Sequence, residues 1–148
     1  MVSETSGGFL ISQIKQISGR IFERLLANAG IDAFNGAQGR ILYVLWQEDN
    51  IPIAELSKKT GLAKTTLTSM LDRMEESGLL LRIPDKTNRR QIRIALTDQA
   101  RSLSGKYDKV SQEMNEIYYA GFSDDEISAF ENTLERILTN LNRSDYLK

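Results

Sequence analysis

The chain of 148 residues contains no cysteine and no histidine. Together these absences exclude disulfides, thiolate nucleophiles, Cys/His zinc sites and imidazole general bases. They also exclude oxidant sensing through thiols and metal sensing through imidazole. Carboxylates alone can hold a metal, but no EF-hand spacing occurs. No glycine-rich phosphate loop is present either. GLAKTT at 61–66 misses that pattern, because Ala63 stands before the lysine and the first glycine is misplaced. Carboxylates, lysines and hydroxyls remain, with no convergent catalytic motif among them, so the chain is read as a non-enzyme needing no metal and no cofactor. No apolar run reaches the ~20 residues of a membrane span, and residues 2–8 are small and polar, unlike a signal peptide. The expectation is a cytoplasmic protein with no membrane partner. Asn142-Arg143-Ser144 matches a glycosylation acceptor, but nothing else in the sequence indicates secretion.

Charge is abundant but unevenly placed. The formal net charge is −1. Residues 55–93 nevertheless carry nine cations against five anions, whereas residues 111–135 carry seven acids and no base. One part of the molecule therefore suits a polyanion and another does not. The basic segment ends in PDKTNRRQIR (84–93), where Lys86, Arg89, Arg90 and Arg93 face a single acid, Asp85. An ordinary solvated turn favours Asn, Asp and Gly with mixed charge. Thr87-Asn88 fits that description; Arg89-Arg90 does not.

Periodicity places the elements. Leu10, Ile14, Ile17, Ile21 and Leu25 form a helical stripe over 9–28, stopped by Gly30. Asn35 caps a second helix carrying Ile41, Leu42, Leu45 and Trp46. Ile51-Pro52-Ile53 reads as a short edge strand, where proline is tolerated. Residues 54–60 and 64–77 read as two short helices joined through Gly61, which is the helix-turn-helix pattern. The second would bury Leu67, Met70, Leu71 and Met74. Residues 79–83 and 91–96 read as strands of a hairpin whose tip is the basic stretch. Ala100, Leu103, Tyr107, Val110, Met114 and Ile117 then repeat in steps of three and four behind an N-cap at Thr97. Ile127, Phe130, Leu134, Ile137 and Leu141 do so behind a capping box at Ser123–Glu126. Such seams pack on another helix. Intrachain core is the usual fate of such stripes; the dimer interface is the favoured reading here, because both terminal regions need more partner surface than one small winged helix offers.

The predicted fold is mainly α with a small β wing: a winged helix-turn-helix with N- and C-terminal dimerisation helices. A single domain over 1–148 is expected, with the DNA-binding lobe at about 36–97 and dimerisation helices at about 9–30 and 98–143. The exposed face of the 64–77 helix carries Lys64, Thr65, Thr66, Thr68, Ser69 and Arg73. Hydroxyls reach phosphates or base edges, and arginine grips guanine bidentately. Three β-branched threonines in one exposed turn are poor for helix stability, which calls for another reason. Thr65, Thr66, Thr68, Ser69 and Arg73 are assigned to the major groove. Arg89 and Arg90 are assigned to the minor groove, where the potential is most negative. Lys58, Lys59, Lys64 and Lys86 are assigned to phosphates. Asp72, Glu75 and Glu76 count against contact at the far end of that helix. A winged-helix module that binds another protein and no DNA is the alternative.

ELSKKTGLAKTTLTSMLDRMEESGLLLR (55–82) and the wing PDKTNRRQIRIALT (84–97) resemble the MarR family of winged-helix transcriptional regulators, and the flanking helices fall where that family has them. The resemblance implies a homodimer on a pseudo-palindromic operator in double-stranded DNA, acting as a ligand-responsive repressor. It implies a small-molecule effector lodged where the dimerisation helices meet the DNA-binding lobe, where Phe22, Tyr43, Trp46 and Tyr118 are aromatic candidates, although core packing is their commoner fate. In the family's wing pattern, Asp-x-Arg-Asp-x-Arg, Asp85 takes the first position and Arg90 the last. Thr87 and Asn88 replace the internal arginine and the second aspartate. The family's bracing ion pairs around that aspartate cannot form at Asn88, so the resemblance implies a looser wing or a larger share for Arg89.

Overall fold

The computed structural model describes residues 4–147. Residues 2 and 3 of the polar opening stretch, and the extreme ends of the expected 1–148 domain, lie outside the described residues. The chain divides into two compact units, residues 1–114 and 115–148.

In the first unit, α1 (Gly7–Asn28) stops at Gly30 with φ +75°. The next helix, α2 (Gly36–Gln47), starts in a full capping box: the Asn35 side chain accepts from the Gln38 N–H, and the Gln38 side chain accepts from the Asn35 N–H. The two-residue strand β1 (Ile51–Pro52) leads into α3 (Ile53–Thr60) and α4 (Lys64–Glu76). The hairpin β2 (Leu80–Pro84) and β3 (Ile92–Leu96) follows, in register from Leu80 opposite Leu96 to Pro84 opposite Ile92. With β1 paired to β3, the sheet is antiparallel in the order β1-β3-β2. Pro52 thus sits on an edge strand, where its missing N–H is harmless. Thr97 caps α5 (Asp98–Arg101) by accepting from the Ala100 N–H.

The continuous stripe expected from Ala100 onward is broken here. After α5 the chain makes a turn at Ser102-Leu103 and restarts as α6 (Ser104–Tyr118). Ser102 Oγ donates to the Gln99 carbonyl at 2.6 Å, and the Leu103 N–H bonds three residues back to Ala100. Serines at 102 and 104 with glycine at 105 weaken the helix against such local bonds.

The core of this unit is built chiefly from aliphatic side chains. Ile41, Leu42, Leu45, Leu56, Leu67, Leu71, Met74, Leu80 and Ile94 are all sealed from solvent, while Met70 is only partly so. An aromatic layer backs it. Tyr107 on α6 contacts the rings of Phe22, Phe34, Tyr43 and Trp46, at centroid distances of 5.6, 6.0, 6.3 and 5.1 Å. Gly39 permits that approach, since a Cβ there would stand 2.7 Å from the Tyr107 ring. The N-terminal half of α1 does not join this core: Phe9, Leu10, Ile11, Ile14 and Ile17 are exposed.

In the second unit, α7 (Asp124–Asn142) begins in the expected capping box, with Ser123 and Glu126 bonding each other's backbone N–H groups. Tyr119 fixes its start: the ring packs edge-on to Phe122 and Phe130, and the hydroxyl donates to Glu131 at 2.7 Å. No residue of α7 is buried, and Phe130, Ile137, Leu138 and Leu141 lie open to solvent. Among the described residues no helix is long and apolar enough to cross a membrane.

Candidate nucleic-acid interface

The helix-turn-helix is built from α3 and α4 with three residues between them. Gly61 adopts φ +76°, which only glycine takes without strain, and its N–H closes α3 on Ser57. Ser57 Oγ donates to the Leu62 carbonyl at 2.6 Å and Thr60 Oγ1 to the Leu56 carbonyl at 2.8 Å, so the turn is tied by its own side chains. Burial of Leu67, Leu71 and Met74 sets the roll of α4. Lys64, Thr65, Thr66, Thr68, Ser69 and Arg73 are then all exposed, as the periodicity requires. Lys64, Thr65, Thr68, Ser69 and Asp72 line a shallow depression of about 360 Å³. Ala63 stands at the N-cap without a side-chain acceptor, so the first turn of α4 keeps donors free for an outside anion. Lys58 is exposed beside this surface. Lys59 is engaged: Glu48 at 2.5 Å and Glu55 at 3.4 Å hold its ammonium and raise its pKa.

The wing is braced from its base. Asp85 is buried at 8% exposure. Its Oδ1 accepts from the Thr87 N–H (2.8 Å), the Thr87 hydroxyl (2.8 Å) and the Asn88 N–H (3.2 Å), and its Oδ2 from Arg93 Nη1 (3.1 Å). Asn88 Oδ1 accepts from the Arg90 N–H at 3.1 Å. Thr87 and Asn88 therefore serve the turn as hydrogen-bonding residues, and the ion pair that Asn88 cannot make is made instead by Asp85 with Arg93. Arg93 also grips the α2–β1 turn, through Asn50 Oδ1 (3.1 Å) and the Asn50 carbonyl (2.7 Å). Asn50 has φ +56°, a left-handed conformation that asparagine tolerates better than most residues. Of the four cations in 84–93, Arg93 is thus an internal strut. Lys86, Arg89 and Arg90 are exposed at the tip, and no ion pair holds them among the described residues.

The Asp85 carboxyl is pulled from 3.8 to about 2, first by the hydroxyl and N–H of Thr87 and then by Arg93. A folded-state pKa below the unfolded value means stabilisation that is complete above pH 3.8 and lost as pH falls toward about 2. Asp85→Asn should therefore flatten the fall of stability over that window, measured by denaturant unfolding at stepped pH. It should also raise amide exchange at Thr87 and Asn88. A parent-like pH slope and parent-like protection would show that the brace is inert.

The acids at the far end of α4 are not bare. Arg82 on β2 pairs with Asp72 at 2.7 Å and Glu75 at 2.9 Å. Two of the three carboxylates read as opposing DNA are therefore paired within the fold, one guanidinium offsetting half of their combined charge, and Glu76 alone stays exposed without an ion pair among the described residues.

A profile for the MarR family matches residues 34–92. The chain is also 31% identical over 99 residues to the uncharacterized HTH-type transcriptional regulator YsmB of Bacillus subtilis (strain 168), an alignment covering 67% of this chain and 68% of that one. The chain belongs to the MarR family. The HTH-type transcriptional regulator TtmR of Methylorubrum extorquens (strain PA1) is 38% identical over 90 residues, which are 61% of this chain and 45% of TtmR. The chain spans about half the length of TtmR and of three other curated relatives it matches. Among solved structures, a mutant of E. coli MarR complexed with operator DNA superposes with a TM-score of 0.78 at 25% identity, covering 88% of this chain and 92% of that one.

For a MarR-family chain the unforeseen residues are Arg82, Arg93 and Asn50. Each acts through a partner distant in sequence, and no local pattern marks it. A further feature appears only in three dimensions. A cavity of about 580 Å³ opens between α1, the start of α2 and the α3–α4 turn. Phe22, Leu62 and Met70 give it apolar walls, and Lys15, Arg20 and Arg40 bring cations to its lining. Of the four aromatic residues considered for an effector, Phe22 lines this cavity, whereas Trp46 packs in the aromatic layer and donates from Nε1 to the Ala100 carbonyl at 3.0 Å.

Proposed function

We propose that this MarR-family protein is a sequence-specific, DNA-binding transcriptional regulator that works in the cytoplasm as a homodimeric, ligand-responsive repressor, with no catalysis of its own. The carrying observation is that one fold presents two exposed polar surfaces together: the hydroxyl-rich face of α4 and a wing tip whose cations make no ion pair among the described residues. Thr65, Thr66, Thr68, Ser69 and Arg73 read base edges in the major groove. Arg89 and Arg90 enter the minor groove, while Lys58, Lys64 and Lys86 hold phosphates. Lys59 joins them by exchanging Glu48 and Glu55 for a phosphate. Residues 36–97 form the DNA-binding lobe, and residues 9–30 and 98–143 the dimerisation helices of one domain. A dimer sets two α4 helices about one DNA turn, roughly 34 Å, apart on a pseudo-palindrome. The effector occupies the cavity lined by Phe22, Leu62 and Met70 and carries an anionic group for Arg20 or Arg40.

Selection of bound fragments from random duplex DNA, followed by a salt titration, tests this reading. The expected result is a two-fold symmetric site whose affinity falls steeply with salt, about 0.9 log units per log unit of salt for each phosphate neutralised. No enriched sequence, with binding only to a protein partner and little salt dependence, would overturn it in favour of an interaction module.

A further inference from the structure

Arg82 starts the wing, yet its side chain turns back onto α4. Nη1 donates to Glu75 Oε1 at 2.9 Å, and Nη2 to Asp72 Oδ1 at 2.7 Å and to the Thr68 carbonyl at 3.2 Å. Its own backbone N–H donates to Glu75 Oε2 at 3.1 Å. These bonds tie the edge strand β2 to two turns of α4, from Thr68 to Glu75. A planar guanidinium is suited to this, because its fixed fork serves several acceptors at once, as a lysine does not.

Two features go beyond packing. Asp72 lies on the reading face, lining the same depression as Lys64, Thr65, Thr68 and Ser69. A carboxylate there, left bare, repels phosphate oxygens. The clamp also joins the two surfaces that must enter different grooves of one duplex, so it sets the distance between them. We infer that Arg82 is a positioning residue for DNA recognition: it masks the Asp72 carboxylate on the reading face and fixes the offset between α4 and the wing. This rests on the DNA-binding reading above.

The test compares the full-length parent, Arg82→Gln and Arg82→Gln/Asp72→Asn on one selected operator duplex and one random duplex across a salt series. For Arg82→Gln, operator affinity should fall at least about tenfold, the size of one lost charge-assisted contact. Random-duplex affinity should fall less, through repulsion alone. Adding Asp72→Asn should restore the random-duplex affinity and leave the operator loss in place, because the wing is still unmoored. A merely structural arginine would not give that split. A parent without operator preference or salt dependence overturns the DNA-binding reading itself. A parent that binds, beside an equally folded Arg82→Gln that binds both duplexes the same way, overturns only the role of Arg82. If Arg82→Gln does not fold, Asp72→Asn/Glu75→Gln with Arg82 retained decides. Its unmasked guanidinium should raise random-duplex affinity and steepen the salt slope by about one unit; unchanged values overturn the inference.

Discussion

Arg90→Ala is expected to weaken binding to a selected operator by about 1–3 kcal/mol and to lower the salt slope by about one unit. The loss should fall on A·T-rich flanks of each half-site, because an arginine in the minor groove reads groove width more than single bases. Arg73→Ala should act elsewhere, relaxing base choice inside the half-site. The brace under the wing sharpens this expectation. Asp85, Thr87, Asn88 and Arg93 hold the turn from below, so removing the Arg90 side chain leaves the loop in place. Arg89 is equally exposed beside it, and the double change Arg89→Ala/Arg90→Ala removes any shared contact. A double variant with parent affinity and parent salt slope would reduce the basic tip to a solvated turn.

Leu138→Asp/Leu141→Asp is expected to convert the dimer to monomer in sedimentation at micromolar concentration, and deletion of 124–148 should do the same or unfold the chain. Leu138 and Leu141 are 57% and 55% exposed in the isolated chain. Burying a leucine side chain contributes about 1.5–3 kcal/mol, and a two-fold interface counts each substitution twice. Operator affinity should fall with the dimer, by 10² or more on an order-of-magnitude argument, because the second half-site is no longer bound intramolecularly. A well-folded dimer from either variant would remove α7 from the interface.

Much of this fold is written in local signals. Asn35, Thr97 and Ser123 cap the helices they precede. Gly30, Gly61 and Gly78 take positive φ at the ends of α1, α3 and α4, and the step pattern of Leu67, Leu71 and Met74 orients the reading face. What escaped the sequence depends on chain segments meeting. Arg93 sits in an alternating strand like any outward cation. Only the pairing of β1 with β3 and the closure of the hairpin bring Asn50 and Asp85 to it. Asp72 and Glu75 look unfavourable for a DNA binder until β2 delivers Arg82. Lys59 resembles its neighbour Lys58 until the turn after α2 supplies Glu48. The break at Ser102-Leu103 is masked by an apolar repeat that runs through it unbroken: Leu103 keeps its place in the stripe, while Ser102, Ser104 and Gly105, which weaken the helix, lie off it.

The aromatic layer also makes the molecule its own optical probe. Trp46 is the sole tryptophan, and Tyr107 lies 5.1 Å from it, close enough to pass excitation to the indole. Tyr107 in turn touches Phe22, whose other side lines the cavity above the α3–α4 turn. Anything that enters there and displaces Phe22 presses on the ring next to the fluorophore. Emission from unlabelled protein would then report occupancy in the same cuvette in which DNA release is followed.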